Sequence, residues 1–372
     1  MTVRIIVGDV RDKLAELPDE SVHCCVTSPP YWGLRAYGDD PNEIGREPTL
    51  RAYVDTMVEV FAEVRRVLKP DGVLWLNLGD SYVTKPHAKN HVDPLVRSRS
   101  VRNDGPTTMR ASWRRDGAAV TPVGGGGTTH RSVEGLKYKD LIGVPWRVAL
   151  ALQDDGWWLR SDIVWHKRSP LPESVRDRPT RSHEYVFLLA KSQTYYYDAD
   201  AIAEPLLHPE DATAADASRA FSRRRETAPD ASQPAVSLDK PPPTTRNARS
   251  VWEIASVPNA EAHFAMFPPE LPRRCIAAGS RQGDTVLDPF LGAGTTAMVA
   301  CRLGRDAIGI DLYQANADIS ANRIRNDAPL LNRVRARPYS DGDGKGKTCV
   351  GDPRNDGVAT RGEGSEDVSG TG

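Results

Sequence analysis

The first 80 residues alternate short continuous apolar runs with stretches in which an apolar residue recurs at every third or fourth position. The continuous runs predict strands at 4–7, 22–26 and 73–78. The helical spacing predicts helices at 12–17 and 53–68. Strands that alternate with helices are typical of a parallel sheet covered by helices, so this pattern predicts an α/β fold.

The same alternation returns in the second half of the chain. It predicts a helix at 141–153 and strands at 159–165 and 185–189. A last block predicts helix, strand, helix, strand and helix in turn, at 269–278, 285–287, 295–303, 307–310 and 313–325. A chain of 372 residues is long enough for one large α/β domain or two smaller ones.

Three segments depart from this pattern. Segment 84–135 is predicted to be a basic, flexible insertion, because nine Lys or Arg residues stand against three acidic residues, all Asp, between positions 84 and 133. Segment 205–255 is rich in Ala, Asp, Ser, Arg and Pro, which is typical of a linker or of a poorly patterned target-recognition region. Segment 339–372 has hardly a large apolar residue and is predicted to be a disordered tail.

Composition narrows the classes of protein that remain. The 49 Lys and Arg residues balance 50 Asp and Glu, so total charge gives no sign of a nucleic-acid partner and only local clusters can. The five cysteines lack the spacing of a zinc site or a disulfide framework, so we expect no metal and a reducing compartment. No long apolar run or signal peptide is present, which predicts a cytoplasmic protein without a membrane partner.

A glycine-rich turn after the predicted strand at 285–287 has the features of a ligand site. Asp288 ends the strand, Gly292 and Gly294 follow, and a helix starts at Thr295. Glycine lets a backbone approach a ligand closely, and free helix amides offer donors. The third glycine of a dinucleotide-binding turn is missing, and a carboxylate beside the turn suits a cationic ligand.

A second acidic residue, Asp311, ends the next strand. From this position a carboxylate can hydrogen-bond a ribose hydroxyl in such folds. The alternative is that the two glycines only shape a tight turn and that Asp311 only caps the following helix.

The other candidate site is the loop Ser28-Pro29-Pro30-Tyr31 at the end of the second strand. The two prolines remove amide donors and leave carbonyl acceptors. Acceptors such as the Pro29 carbonyl and the Ser28 hydroxyl suit an amine whose lone pair is delocalised into a ring, because they draw on its hydrogens. Tyr31 can stack on a base that has left the duplex.

Both loops resemble those of the DNA amino-methyltransferases, in which Asp, Asn or Ser precedes Pro-Pro and an aromatic residue. The form Thr27-Ser28-Pro29-Pro30-Tyr31 resembles the cytosine-N4-specific group, and the catalytic loop precedes the cofactor loop, as in the permuted β class. Gly8-Asp9, residues 74–80 and residues 263–268 also match, so the resemblance covers about residues 3–80 and 137–326. It implies a circularly permuted, doubly wound, Rossmann-like methyltransferase fold.

The resemblance also implies a cofactor, a substrate and a partner, and it assigns separate roles to segments of the chain. S-adenosyl-L-methionine is the expected cofactor, double-stranded DNA the expected substrate, and a cognate restriction endonuclease a candidate partner. Segments 1–83 and 136–204 would form the catalytic half and segment 256–338 the cofactor-binding half. The basic insertion would supply contacts to DNA phosphates, with five arginines as candidates: Arg97, Arg99, Arg102, Arg114 and Arg115.

Individual roles follow from the same resemblance. The Asp288 turn, with Phe290, Gly292, Gly294 and Thr295, would lie by the methionine end of the cofactor. Asp311 would bind its ribose, the Asp9 region would lie by its adenine, and His263 would help to form the pocket.

Three alternatives stay open at this point: an adenine-N6 methyltransferase, a glutamine or RNA methyltransferase, and an inactive DNA-binding protein that keeps the fold. Cytosine-C5 methylation needs a cysteine nucleophile, found in that family within Pro-Cys, and no Pro-Cys occurs here.

Overall fold

The computed structural model describes residues 1–34, 40–84, 133–170, 172–206, 244–256, 266–328 and 332–337. The strands in these ranges are β1 (Thr2–Val7), β2 (Val22–Thr27), β3 (Leu68–Leu78), β4 (Trp158–His166), β5 (His183–Ala190), β6 (Glu204–Pro205), β7 (Thr245–Arg246), β8 (Val251–Glu253), β9 (Thr285–Asp288), β10 (Asp306–Asp311) and β11 (Arg333–Arg337). The α-helices are α1 (Val10–Ala15), α2 (Leu50–Val67), α3 (Val144–Asp154), α4 (Glu270–Gly279), α5 (Thr295–Arg302) and α6 (Gln314–Asp327).

Nine of these strands form one sheet in the order β11-β1-β10-β9-β2-β3-β5-β4-β8. Strand β5 runs antiparallel to both of its neighbours, whereas the other neighbouring pairs are parallel. The prediction of a mostly parallel α/β fold is therefore confirmed. Chain order reverses between β9 and β2, and in such sheets ligands bind at the carboxyl ends of the strands beside a reversal.

Helices cover both faces of the sheet. Helices α4, α5 and α6 pack on one face, against side chains such as Val26 and Trp75. Helices α1, α2 and α3 pack on the other face, against side chains such as Leu74 and Leu76. Helix α2 shows why, because its buried residues recur at helical spacing and form one apolar stripe, namely Leu50, Tyr53, Met57, Val60, Phe61, Val64 and Val67.

Some element boundaries differ from the prediction. Strand β3 begins at Leu68, five residues earlier than predicted, directly after α2. Helix α3 begins at Val144 rather than at 141, because the amides of Gly143 and Val144 donate to the Asp80 carboxylate at 2.9 and 3.0 Å. Strand β8 pairs with β4 within the segment predicted as a linker or recognition region.

The two ends of the basic insertion leave the fold side by side. Tyr82 forms an antiparallel bridge with Leu141. Val83 N donates to Asp140 O at 3.0 Å, and Lys139 N donates to Val83 O at 2.9 Å. Nearly all of the insertion and the whole predicted tail lie outside the described residues.

Two general findings concern the described residues alone. Four cysteines there are free thiols and are buried: Cys24, Cys25, Cys275 and Cys301. No α-helix in these ranges is long and apolar enough to cross a membrane.

Candidate active site

A cleft that is partly open to solvent lies where β1, β2, β9 and β10 end. Each strand supplies part of its wall through the residues that follow it. Eight predicted site residues line it: Asp9, Ser28, Pro30, Asp288, Phe290, Gly292, Thr295 and Asp311. Folding thus joins the catalytic loop and the glycine-rich turn, which are about 260 residues apart in the chain, in one cleft.

A buried hydrogen bond ties these two loops together. Thr27 Oγ1 donates to Asp288 Oδ1 at 2.6 Å, and the amide of Phe290 donates to the same oxygen at 3.1 Å. The Asp288 side chain is nearly inaccessible, and this burial raises its pKa to about 6, although both hydrogen bonds act in the opposite direction. Sequence reasoning missed Thr27, whose only signal is its place beside Ser28.

Asp311 is held in a similar way on the opposite wall. Its Oδ2 accepts from the Gly292 amide at 2.9 Å, and its Oδ1 accepts from the Tyr313 amide at 2.9 Å and from Asn316 Nδ2 at 3.0 Å. Burial raises its pKa to about 6, and the nearby charge of Asp288 adds to the rise. The carboxylate binds the amide of Tyr313, the residue before α6, rather than a backbone amide within the helix, and it also lines the cleft.

The two glycines of the turn have different surroundings. Gly292 lines the cleft with a φ of +51°, a conformation that favours glycine. Gly294 does not line the cleft. A Cβ atom there would lie 2.8 Å from the Cβ of Ser320, so Gly294 allows α6 to pack closely on the start of α5.

Two more carboxylates border the cleft. Asp9 caps α1, and its carboxylate is paired with Arg11 at 2.5 Å. Burial acts to raise the pKa of Asp9, but the hydrogen bonds and charge of Arg11 hold it below its usual value. Glu43 is buried, accepts from the Tyr313 hydroxyl at 3.2 Å, and has no motif in the sequence that could have revealed it.

The catalytic loop faces the cleft with part of its residues. Ser28 and Pro30 line it, whereas Pro29 is buried and does not. The Pro30 carbonyl accepts from the Tyr53 hydroxyl at 3.0 Å, so α2 holds the loop in place. Tyr31 lies outside the cleft wall, and its ring packs on Gly79, where a Cβ atom would approach a ring carbon to 2.6 Å.

A polar network adjoins this loop at the end of the sheet. Ser28 Oγ donates to the Tyr31 hydroxyl at 3.1 Å, and that hydroxyl donates to Glu184 Oε2 at 2.9 Å. Glu184 also accepts from Asn77 Nδ2 at 3.2 Å and forms an ion pair with Lys167. Sequence reasoning missed Glu184 and Lys167, because β4 and β5 carry them to this edge without any local motif.

The remaining predicted residues have no described position. His263 and the arginines of the insertion lie outside the described residues, so their roles stay predictions. Within the described ranges, no three His, Cys, Asp or Glu side chains are arranged to hold a metal ion.

Comparison with known proteins gives consistent matches. The N6/N4 DNA methylase family model matches residues 22–322. The type II methyltransferase M.SmaI of Serratia marcescens is 42% identical over 321 residues, which cover 86% of this chain and 90% of that protein. The type II methyltransferase M.Cfr9I of Citrobacter freundii is 41% identical over 335 residues, which cover 88% and 90%.

Solved structures share the fold. The cytosine-N4-specific PvuII DNA methyltransferase superposes with a TM-score of 0.52 at 18% identity, over 89% of this chain and 93% of that one. A putative DNA modification methylase of Thermus thermophilus, complexed with S-adenosyl-L-methionine, superposes with a TM-score of 0.51 at 23% identity, over 90% and 99%.

Proposed function

The chain belongs to the N6/N4 DNA methylase family, and from that premise we propose that it methylates the N4 amino group of cytosine at a specific site in duplex DNA. It is a DNA methyltransferase, and S-adenosyl-L-methionine is the methyl donor. The observation that carries the cytosine proposal is the placement of Ser28, rather than an aspartate, on the wall of the cofactor cleft.

The chemistry of the cleft fits this donor. S-adenosyl-L-methionine supplies a methyl group on a positively charged sulfur and carries ribose hydroxyls. The cleft offers buried carboxylates of Asp288, Asp311 and Glu43, which suit a cation and hydroxyl donors. In the proposed arrangement the Asp288 turn holds the methionine end, Asp311 the ribose and the Asp9 region the adenine.

Ser28 is proposed to act on the target amine. The lone pair of an exocyclic amino nitrogen is delocalised into the ring, which makes the nitrogen a weak nucleophile. When the Ser28 hydroxyl and the Pro29 carbonyl accept its hydrogens, they draw electron density back to the nitrogen at the face where the methyl group lies. Preorganised polar groups of this kind stabilise the charge that develops during the reaction.

The DNA is proposed to approach from the side of the insertion. Gly79 contacts Tyr31, and the paired insertion ends begin three residues later in the chain, at Tyr82. The loop between β4 and β5 packs against these ends. Arg178 in this loop lies over the Tyr82 ring at 3.8 Å, and Asp177 forms an ion pair with Lys139. Basic side chains beside the catalytic loop would bind DNA phosphates while the target base leaves the duplex. Tyr31 is proposed to stack on the base once it has left.

Nucleoside analysis tests the acceptor base. After incubation of DNA with the protein and S-adenosyl-L-methionine, we expect mass spectrometry to detect N4-methylcytosine. N6-methyladenine instead would contradict the cytosine proposal and favour the adenine alternative. If neither nucleoside formed although the cofactor bound, the active-enzyme proposal would fail and an inactive DNA-binding protein, or an enzyme for another acceptor, would remain.

By analogy with its type II relatives, a cognate endonuclease is a proposed partner.

Replacing residues 85–132 with a short Gly-Ser linker should weaken DNA binding and its dependence on salt. Each phosphate contact that is lost should reduce the log-log slope of affinity against salt by roughly 0.9. Removal of the tail 339–372, in which acidic residues outnumber basic ones, is the matched control and should leave the slope unchanged. Fluorescence anisotropy at several salt concentrations measures both. An unchanged slope after loss of 85–132 would mean that this segment makes no phosphate contacts.

A further inference from the structure

The polar network beside the catalytic loop has a defined direction of hydrogen bonding. It runs from Ser28 through the Tyr31 hydroxyl to Glu184, with Asn77 and Lys167 at its far end. Tyr31 contributes its hydroxyl here, a group that a phenylalanine at this position of the loop would lack.

Asn77 is oriented by a backbone carbonyl. Its Nδ2 donates to Tyr185 O at 3.0 Å, and a carbonyl oxygen can only accept. The other side-chain atom, Oδ1, therefore faces the Tyr31 hydroxyl, at 3.3 Å. Asn77 thus presents an acceptor to Tyr31.

Glu184 presents a second acceptor to the same hydroxyl. Its Oε2 lies 2.9 Å from the Tyr31 oxygen, and its Oε1 is bound to Lys167 Nζ. The ammonium of Lys167 also lies 4.7 Å from the centre of the Trp165 ring, which holds it at this place by a cation–π contact. A carboxylate in an ion pair accepts hydrogen bonds and donates none.

These contacts determine where the hydroxyl protons point. The Tyr31 hydroxyl has one proton. Glu184 and Asn77, which both lie within hydrogen-bond distance of this hydroxyl, present acceptors to it, so the proton is directed toward them. Toward Ser28, 3.1 Å away, the Tyr31 oxygen can then only accept. Ser28 must donate its own proton to Tyr31, and its lone pairs are left for the cleft that it lines.

This direction matters for the reaction. A Ser28 hydroxyl that accepts from the target amine increases electron density on nitrogen, whereas one that donates to that nitrogen would occupy the lone pair needed for attack. We propose that Glu184 is a positioning residue that acts through Tyr31 to keep the Ser28 hydroxyl an acceptor toward the amino group. The proposal rests on the catalytic role proposed for Ser28.

Single-turnover methylation at saturating cofactor tests it. Glu184→Gln keeps the shape of the side chain, but its amide can donate to Tyr31 and so permits the opposite direction. We expect the rate to fall about 10- to 100-fold, with cofactor affinity unchanged, because this indirect effect should be smaller than the roughly 100- to 1000-fold loss that follows direct removal of one preorganised polar group. Tyr31→Phe breaks the same chain without touching the Glu184–Lys167 pair and should lower the rate to a similar extent.

Combined variants separate positioning from a structural effect. Because Glu184 acts through Ser28, adding Glu184→Gln to Ser28→Ala should change the rate less than about twofold, since residues that act as a unit are not additive. Glu253→Gln is the matched control, a carboxylate on β8 paired with exposed Arg168, and it should keep the wild-type rate.

Each contrary result has a distinct meaning. A wild-type rate for both Glu184→Gln and Tyr31→Phe would overturn the proposal while leaving the role of Ser28 intact. Full multiplication of the Glu184→Gln and Ser28→Ala losses would also overturn it, because Glu184 would then act elsewhere. A wild-type rate for Ser28→Ala would remove the catalytic role of Ser28 itself.

Discussion

Replacing Ser28 with alanine is expected to slow methyl transfer by about 10- to 1000-fold, because removal of one preorganised polar group from an active site can cost up to roughly 1000-fold in rate. The hydroxyl lines the proposed cofactor cleft and, with its proton directed to Tyr31, is proposed to accept from the target amine. The Asp288 turn is untouched by this change, so cofactor affinity should persist. Single-turnover rates at saturating cofactor, together with calorimetric cofactor binding, measure the two quantities separately.

Ser21→Ala is the matched control for this experiment. Ser21 immediately precedes β2, whereas Ser28 immediately follows it, and its hydroxyl donates to Pro18 O at 2.7 Å. Loss of this hydroxyl at the opposite end of the same strand should leave the rate unchanged. Should Ser28→Ala transfer methyl groups as fast as the wild type, the hydroxyl has no part in the chemistry.

Asp288→Asn should weaken S-adenosyl-L-methionine binding by about 10- to 100-fold, since a hydrogen bond to a charged group contributes about 1.5–3 kcal/mol. The amide oxygen can still accept from Thr27 and from the amide of Phe290, so the turn should keep its shape. The negative charge is lost, and the second carboxylate oxygen is replaced by an NH2 group that donates hydrogen bonds and cannot accept them. Asp284→Asn, just before the same strand β9, is the matched control and should bind the cofactor normally.

Asp288→Asn weakens cofactor binding but should stabilise the fold at neutral and higher pH, because the pKa of the Asp288 carboxyl is raised in the folded protein. In the folded, cofactor-free protein the carboxyl has a pKa of about 6, against an ordinary value of 3.8. The protonated Asp288 carboxyl therefore makes its full contribution to the free energy of unfolding below about pH 4. This contribution is lost as the pH rises through 6, because Asp288 in the unfolded chain releases its proton at a lower pH than in the folded protein. Above pH 7 the free energy of unfolding is lower by about 3 kcal/mol, because the two pKa values differ by about two units and each unit corresponds to about 1.4 kcal/mol.

The asparagine side chain of the Asp288→Asn protein cannot ionise. This variant should therefore match the wild type near pH 4 and exceed its free energy of unfolding by up to about 3 kcal/mol at pH 8. Urea unfolding at the two pH values tests this. A variant less stable than the wild type at pH 8 would contradict the burial of an ionised Asp288. Unchanged cofactor affinity in a folded variant would separately remove Asp288 from the binding site.

Several features of the protein were already determined by local sequence. Continuous apolar runs predicted the strands that build most of the sheet, because central strands covered by helices on both faces carry mostly apolar residues. The glycines of the turn and the strand-ending carboxylates of Asp288 and Asp311 indicated the proposed cofactor site, because a tight turn from strand to helix favours glycine and a carboxylate at a strand end can bind a ligand hydroxyl. The serine, two prolines and tyrosine of the catalytic loop are adjacent in the chain, so their pattern was visible without a fold.

Tertiary structure alone decided which distant residues meet. Thr27 and Asp288 are 261 positions apart, and their hydrogen bond exists only because β2 and β9 are neighbours in the sheet. Glu184 reaches Tyr31 because β5 runs antiparallel to β3 and turns its first residues toward the catalytic loop. Lys167, directly after β4, meets Glu184 because β4 runs antiparallel to β5. Hydrophobic periodicity reports how each segment is buried, but it carries no information on strand order, and strand order determines which side chains share the site.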